Sequence, residues 1–262
     1  DHQSDHLVII FSPNSKFAMY NIDFGTSTLF FSDRKLFYYL YNPASQINLL
    51  HNFIVACGFT TVTMVGSSKG GAGVLLWSSI LSNRCEDAYK VICYSFSPQT
   101  KLYPKSKKIK YPSYVGVLKS AETDEGRRKN LQKYGDIKPY VAASKAQTTV
   151  IYSRGYEVDR HEAIYLEDTG VTMVDLPLTF HGSITPYLVD KSNPDHLRSI
   201  VKKMFRNGAK DADLASTLPD NEDDLFEILD AVSVPYIVDL VTIPNQRSLI
   251  LSFPWICRWF SW

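Results

Sequence analysis

Unbroken apolar runs alternate along this chain with stretches in which apolar residues recur every three or four positions. Leu7-Val8-Ile9-Ile10-Phe11-Ser12 is such a run, of the kind found in a strand buried on both faces of a parallel sheet. Thr28-Leu29-Phe30-Phe31-Ser32 predicts a second strand, followed by the aromatic residues Phe37, Tyr38, Tyr39 and Tyr41, which suit core or rim packing. Ile47, Leu50, Phe53 and Ile54 then fall at helical spacing, and Gly58 stops the helix. Thr61 to Val65 is β-branched and apolar, and the pattern after Gly73 is helical as far as Asn83. Val91 to Phe96, Thr148 to Ser153 and Val171 to Leu176 predict further strands, and Leu197, Ile200, Val201, Met204 and Phe205 an amphipathic helix that starts at Pro194. Alternating strands and helices of this kind predict an α/β fold with a doubly wound, mostly parallel sheet.

Two stretches break the pattern. From Pro98 to Gln147 the chain is charged and weakly periodic, which predicts a lid of about 98–147 inserted between sheet strands. Beyond Gly208 it is acidic and turn-rich, with a helix near Leu225 to Val232 and an apolar tail carrying Trp255, Trp259 and Trp262. The organisation read from this is a catalytic domain over 1–208 and a C-terminal extension over 209–262. The extension either folds back on the domain or forms an interface with a partner domain or a second copy. The chain opens on Asp1 without an initiator methionine and enters a strand almost at once, as an excised domain of a longer protein would.

The strand over Thr61 to Val65 runs into Gly66-Ser67-Ser68-Lys69-Gly70, and a helical pattern follows. This is G-x-S-x-G in its strand–turn–helix setting, the nucleophile elbow of α/β-hydrolase-like folds, and it makes Ser68 the candidate nucleophile. Glycines on either side let strand and helix backbones pass within a few residues of each other. The N–H of Lys69, at the helix N-terminus, is a candidate donor to an oxyanion. A second donor is expected from the loop after the first strand, where Pro13 has no N–H and leaves Ser12 or Asn14. The motif lacks the G-x-x-x-x-G-K-[ST] spacing of a phosphate-binding loop.

A triad in the chain order serine, acid, histidine needs an acid and a histidine on loops after later strands. Asp159 follows the strand that ends at Ser153, and His181 follows the one that ends at Leu176. Glu157 is the alternative acid. His161 competes with His181, but it is placed at the start of a helix immediately beside the acid, a poor position from which to reach Ser68.

Composition narrows the function. With 28 Lys+Arg against 27 Asp+Glu, composition gives no reason to expect nucleic-acid binding overall, so any basic site is local. Lys105, Lys107 and Lys108, in a run with Lys101 and Lys110, are either a solvated face or a patch for a polyphosphate or an anionic polymer. Cys57, Cys85, Cys93 and Cys257 have no zinc or disulfide-scaffold spacing, which predicts no metal and fits a reducing, cytoplasmic compartment. No apolar run reaches the roughly 18 residues of a membrane span.

Gly66-Ser67-Ser68-Lys69-Gly70-Gly71, together with Ser97-Pro98-Gln99-Thr100-Lys101-Leu102, Asp159-Arg160-His161 and His181-Gly182, resembles the bacterial capsular-polysaccharide O-acetyltransferases of α/β-hydrolase fold, the meningococcal serogroup A type. Related elbows occur in accessory secretion proteins that modify glycosylated adhesins. The resemblance covers roughly Leu7 to Phe205. It implies transfer of an acetyl group from acetyl-CoA, a donor substrate rather than a bound cofactor, to Ser68 and then to a hydroxyl of a polysaccharide or other glycan. His181 is then the base in both halves, and the setting is the cytoplasm or the inner membrane face beside a polysaccharide assembly complex. A carbohydrate esterase or deacetylase with the same triad, and a noncatalytic module of such a complex, are the competing readings.

Overall fold

The computed structural model describes residues 4–210 and 212–242. The apolar tail with Trp255, Trp259 and Trp262, and the role expected of it, lie outside the described residues. Six strands form one sheet: β1 (His6–Ser12), β2 (Ser27–Ser32), β3 (Thr61–Ser67), β4 (Lys90–Phe96), β5 (Gln147–Ser153) and β6 (Thr172–Leu176). They lie in the order β2-β1-β3-β4-β5-β6, and every ladder is parallel. The fold is the α/β, doubly wound parallel sheet that the apolar pattern predicts.

Successive residues of β1 serve opposite faces, which is why the run over Leu7 to Phe11 has no polar break. Leu7, Ile9 and Phe11 join Val62 and Met64 in one core cluster, and Val8 and Ile10 join Val65 in the other. The first face is covered by α1 (Pro43–Ala56) and α2 (Lys69–Ser82). Trp77 of α2 sits there with its ring edge-on to Phe11 and Phe31, and its indole N–H donates to the Tyr39 carbonyl at 3.1 Å. Phe37, Tyr38 and Tyr39 of the aromatic cluster are core residues, while Tyr41 stays exposed.

Between β4 and β5 the insertion holds α3 (Pro112–Thr123), α4 (Glu125–Tyr134) and α5 (Lys138–Ala142). Its Leu102, Ile109, Tyr111, Tyr114, Leu131 and Val141 are buried in the same cluster as α2. The opposite face is covered by α7 (Pro194–Gly208), α9 (Glu222–Asp230) and α10 (Ile237–Thr242), with the short α8 (Ala212–Ala215) ahead of α9. Leu225, Leu229, Ile237, Leu240 and Val241 of the C-terminal segment are at most 3% exposed and pack with the strand residues. At about 1.5–3 kcal/mol per buried aliphatic side chain, that segment is part of the domain's stability.

The helix expected to start at His161 begins earlier. α6 runs from Glu157 to Ile164, and a separate 3₁₀ turn spans Glu167–Thr169 before Gly170. Extended backbone at Tyr156 starts α6, and Glu157 and Asp159 occupy its first turn, where acidic side chains complement the helix dipole. Asp159 therefore stands on a helix rather than in a loop.

Candidate active site

The carboxyl ends of β3, β4, β5 and β6 converge on one residue. Ser68 sits between β3 and α2 with φ +55° and ψ −120°, backbone that side-chain-bearing residues rarely adopt. Its N–H donates to the Phe96 carbonyl at 2.8 Å, so the end of β4 holds the turn. The glycines on either side are required by close backbone approach. A Cβ on Gly66 would lie 2.2 Å from the Gly70 carbonyl oxygen, and one on Gly70 would lie 2.2 Å from that of Phe11. With no room for side chains there, the turn lifts the Ser68 hydroxyl clear of the sheet.

Across the sheet ends, Ser68 Oγ is 2.8 Å from His181 Nε2, and His181 Nδ1 is 2.6 Å from Asp159 Oδ1. Asp159 is 1% exposed and His181 8%. The structure thus brings Ser68, His181 and Asp159 into one hydrogen-bonded chain from sites 22 and 113 positions away from the histidine. It does not bring in Glu157, which is exposed and bonded to Lys108 at 2.5 Å. That hydrogen bond and the lysine's charge hold the Glu157 carboxyl below its ordinary range. His161 is half exposed on α6, with Nδ1 3.5 Å from Glu162.

The loop carrying His181 is tied to β4 and β5. Ser97 Oγ donates to Ser183 Oγ at 2.9 Å, and Ser183 Oγ donates to the Ile151 carbonyl at 2.8 Å. The imidazole is flanked by Tyr111 and Tyr156, whose ring centroids lie 5.2 and 6.0 Å from it. Burial, reinforced by the Asp159 charge, pushes the Tyr111 hydroxyl far up, so it stays protonated. Tyr111 ends the basic run of the insertion, so this segment reaches the site through an aromatic ring. Lys105, Lys107 and Lys108 are exposed and make no hydrogen bond or ion pair to Ser68, His181 or Asp159 among the described residues.

Of the expected oxyanion donors, Lys69 opens α2, and its N–H has no acceptor within the helix. After β1, Ser12 Oγ accepts from the Ala18 N–H at 2.8 Å and Asn14 Oδ1 from the Lys16 N–H at 2.9 Å, bonds that use the backbone N–H of neither residue.

Sequence reasoning gives no site role to three neighbours: Gln99, Asp213 and Ser183. Gln99 Nε2 is 3.4 Å from Ser68 Oγ. Asp213 comes from α8 in the C-terminal segment; its Oδ2 accepts from Lys69 Nζ at 2.8 Å and its Oδ1 from the Ser113 N–H at 3.1 Å. Lys69 is the residue after the candidate nucleophile, so the segment beyond Gly208 fastens the elbow. A glutamine after Ser-Pro at a strand's carboxyl end is a weak hint to Gln99. Nothing local hints at Asp213, which lies 144 positions from its partner.

Burial alone would raise the Asp213 carboxyl, but hydrogen bonds from Lys69 and Ser113 and the lysine charge outweigh it and hold it below its ordinary value. A depressed folded pKa contributes stability above the unfolded value of about 3.9, and that stability is lost as pH falls through the folded one. Side chains 11% and 18% exposed make this a largely buried pair. Asp213→Asn is expected to cost about 3 kcal/mol at neutral pH, because it leaves the Lys69 cation without its anion. Thermal melts of both proteins check this: the gap should close in strong acid, where the wild-type carboxyl is also neutral, and a gap independent of pH assigns the loss to packing instead.

No family model matches the chain, and no curated protein matches it. Among solved structures, it is similar to a mutant of the capsule O-acetyltransferase of Neisseria meningitidis serogroup A in complex with CoA, at 17% identity over 67% of this chain and 80% of that one, with a TM-score of 0.43. It is similar to the Pyrococcus furiosus esterase at 14% identity over 78% and 83% of the two chains, with a TM-score of 0.46. A carboxylesterase of the thaumarchaeon Nitrososphaera gargenis gives 12% identity over 67% and 82%, with a TM-score of 0.44. At such scores the likenesses assign neither family nor activity, and what the site can do chemically rests on its own geometry.

Proposed function

We propose that this chain is a serine-dependent O-acetyltransferase that moves an acetyl group from acetyl-CoA to a sugar hydroxyl of a surface polysaccharide. The observation that carries the reading is the continuous hydrogen-bonded chain from Ser68 through His181 to Asp159 at the carboxyl ends of the strands. In the first half, His181 Nε2 takes the proton of Ser68 as Oγ bonds to the thioester carbonyl carbon. The oxyanion collapses, the C–S bond breaks, and His181 returns the proton to the departing sulfur. In the second half, the sugar hydroxyl attacks acetyl-Ser68 and gives its proton to His181. The proton passes to Ser68 Oγ as the acyl bond breaks, which restores the enzyme.

Asp159 holds the imidazole with its proton on Nδ1 and offsets the positive charge that it gains. We assign Lys105, Lys107 and Lys108 to the anionic end of the donor, which predicts weaker acetyl-CoA binding as salt rises. Residues 1–208 carry the machinery in this reading. The C-terminal segment supports it through Asp213.

The test is intact-mass spectrometry of the protein mixed with acetyl-CoA, with and without a polysaccharide acceptor. The expected result is one acetyl group on Ser68, which disappears when the acceptor is added as the acceptor gains it. Loss of that group to water at the same rate with and without acceptor makes the chain an esterase. No covalent adduct with acetyl-CoA or a fluorophosphonate makes it a noncatalytic module.

A further inference from the structure

The turn after β4 puts a carboxamide against the hydroxyl of Ser68. Gln99 is 1% exposed, and its Nε2 lies 3.4 Å from Ser68 Oγ and 3.3 Å from the Ser97 carbonyl oxygen. A carbonyl oxygen can only accept, so the neighbouring Ser97 carbonyl fixes which end of the carboxamide is the nitrogen. The other end, Oε1, is buried with no hydrogen-bond partner among the described residues. An amide oxygen left unpaired in a protein interior is costly, and a position that keeps one calls for an explanation outside stability.

The backbone that delivers this side chain is clamped from both sides. The N–H groups of Thr100 and Lys101 donate to the buried Glu162 Oε2 at 2.6 and 2.9 Å, and the Thr100 hydroxyl donates to it at 2.9 Å. On the near side, α2 packs so closely that a Cβ on Gly71 would lie 2.9 Å from the Phe96 carbonyl and 3.3 Å from Pro98 Cα. Ser97 adopts φ +45° at the start of the turn. Gln99 is therefore held against Ser68 by neighbours of its own, and not by a bond that its carboxamide needs for the fold.

We infer that Gln99 is a catalytic residue whose side-chain N–H is the second oxyanion donor, opposite the Lys69 backbone N–H. This rests on Ser68 being the nucleophile, as proposed above. The oxyanion is bonded to the same carbon as Ser68 Oγ, so a donor at the edge of hydrogen-bond reach of Oγ comes within reach of the oxyanion once the tetrahedral species forms. A contact of 3.4 Å does little for the resting serine. It strengthens only as negative charge develops, which is the condition for accelerating the reaction rather than binding the ground state. In the loop after β1, Pro13 has no N–H to offer.

The test uses Gln99→Met, which keeps the length and apolar bulk of the side chain and removes the donor, with Gln99→Ala as a second variant that cannot overpack. Wild type and variants are compared for kcat and KM on p-nitrophenyl acetate, for inhibition by a trifluoromethyl ketone, and for thermal melting. Loss of one oxyanion donor is expected to lower kcat by about 10²–10³-fold with KM little changed, and to weaken the ketone in parallel with kcat/KM. Melting should hold or rise in Gln99→Met, because the unpaired Oε1 goes with the donor. A folded variant with kcat within about threefold of wild type overturns the inference, since a lost donor costs far more. So does a loss of melting temperature and activity together in both variants, which makes Gln99 a structural residue. If wild-type Ser68 takes up no fluorophosphonate, the nucleophile reading itself has failed, whereas labelled wild type beside a fully active Gln99→Met removes the oxyanion role alone.

Discussion

Replacing Ser68 with alanine is expected to abolish acetyl transfer and background ester hydrolysis together, with a loss of about 10⁶-fold in kcat, the scale set by removal of a triad nucleophile. In the proposed mechanism both reactions pass through the same acyl-serine, and among the described residues no second hydroxyl is hydrogen-bonded to His181. Ser67 is the last residue of β3 and makes no hydrogen bond to His181. The fold should survive. The Ser68 Oγ hydrogen bonds go to His181 and Gln99, which are site residues, while the elbow is held by the Ser68 N–H to Phe96 and by the close approaches at Gly66 and Gly70. Alanine at φ +55° bears the same backbone strain as serine, so circular dichroism and melting should match wild type. Fluorophosphonate labelling should disappear with the hydroxyl. A well-folded Ser68→Ala protein that retains either activity, or the label, would move the chemistry to another residue.

The parts of this molecule that local pattern specifies could be read from the chain, and those that depend on distant contacts could not. β1 and β4 are buried on both faces, so their apolar runs over Leu7 to Phe11 and Val91 to Tyr94 are unbroken and their limits plain. The elbow was legible because strand, turn and helix must meet within a few residues, which forces glycine at Gly66 and Gly70. The order of acid and histidine after it followed from how strand ends line up in a parallel sheet. The start of α6 was missed, because its first turn is charged and Tyr156 offers no capping side chain. Asp213 stands in an acidic, turn-rich stretch like many surface aspartates, and its meeting with Lys69 depends on the whole C-terminal segment crossing back over the sheet face. Gln99 was visible as part of a motif, but its neighbour Ser68 is 31 positions away, and only the turn at Ser97 aims it there.

Asp159→Asn is expected to lower kcat by about 10⁴-fold while leaving KM nearly unchanged, on the scale of the same change in a serine triad. As a carboxylate, Asp159 can only accept, so it requires the histidine proton on Nδ1 and leaves Nε2 free to take the proton of Ser68. An asparagine can present its NH₂ to Nδ1 instead. The proton then moves to Nε2, and the imidazole can no longer act as the base. The charge matters as well as the tautomer. Asp159 is 1% exposed and its Oδ2 has no hydrogen-bond partner among the described residues, so its negative charge depends on His181. That interaction tightens when the imidazole becomes an imidazolium, which happens in the transition state and not before. Asp159 stands in the first turn of α6, where the helix dipole favours negative charge. Glu157→Gln supplies the contrast, because this exposed side chain is bonded to Lys108 and its loss should change kcat by less than about threefold, as for a residue outside the reacting chain. Side-by-side kinetics on p-nitrophenyl acetate and acetyl-CoA decide between them. A large loss in Glu157→Gln with a small one in Asp159→Asn would reassign the acid to Glu157 and require the loop before α6 to rearrange when substrate binds.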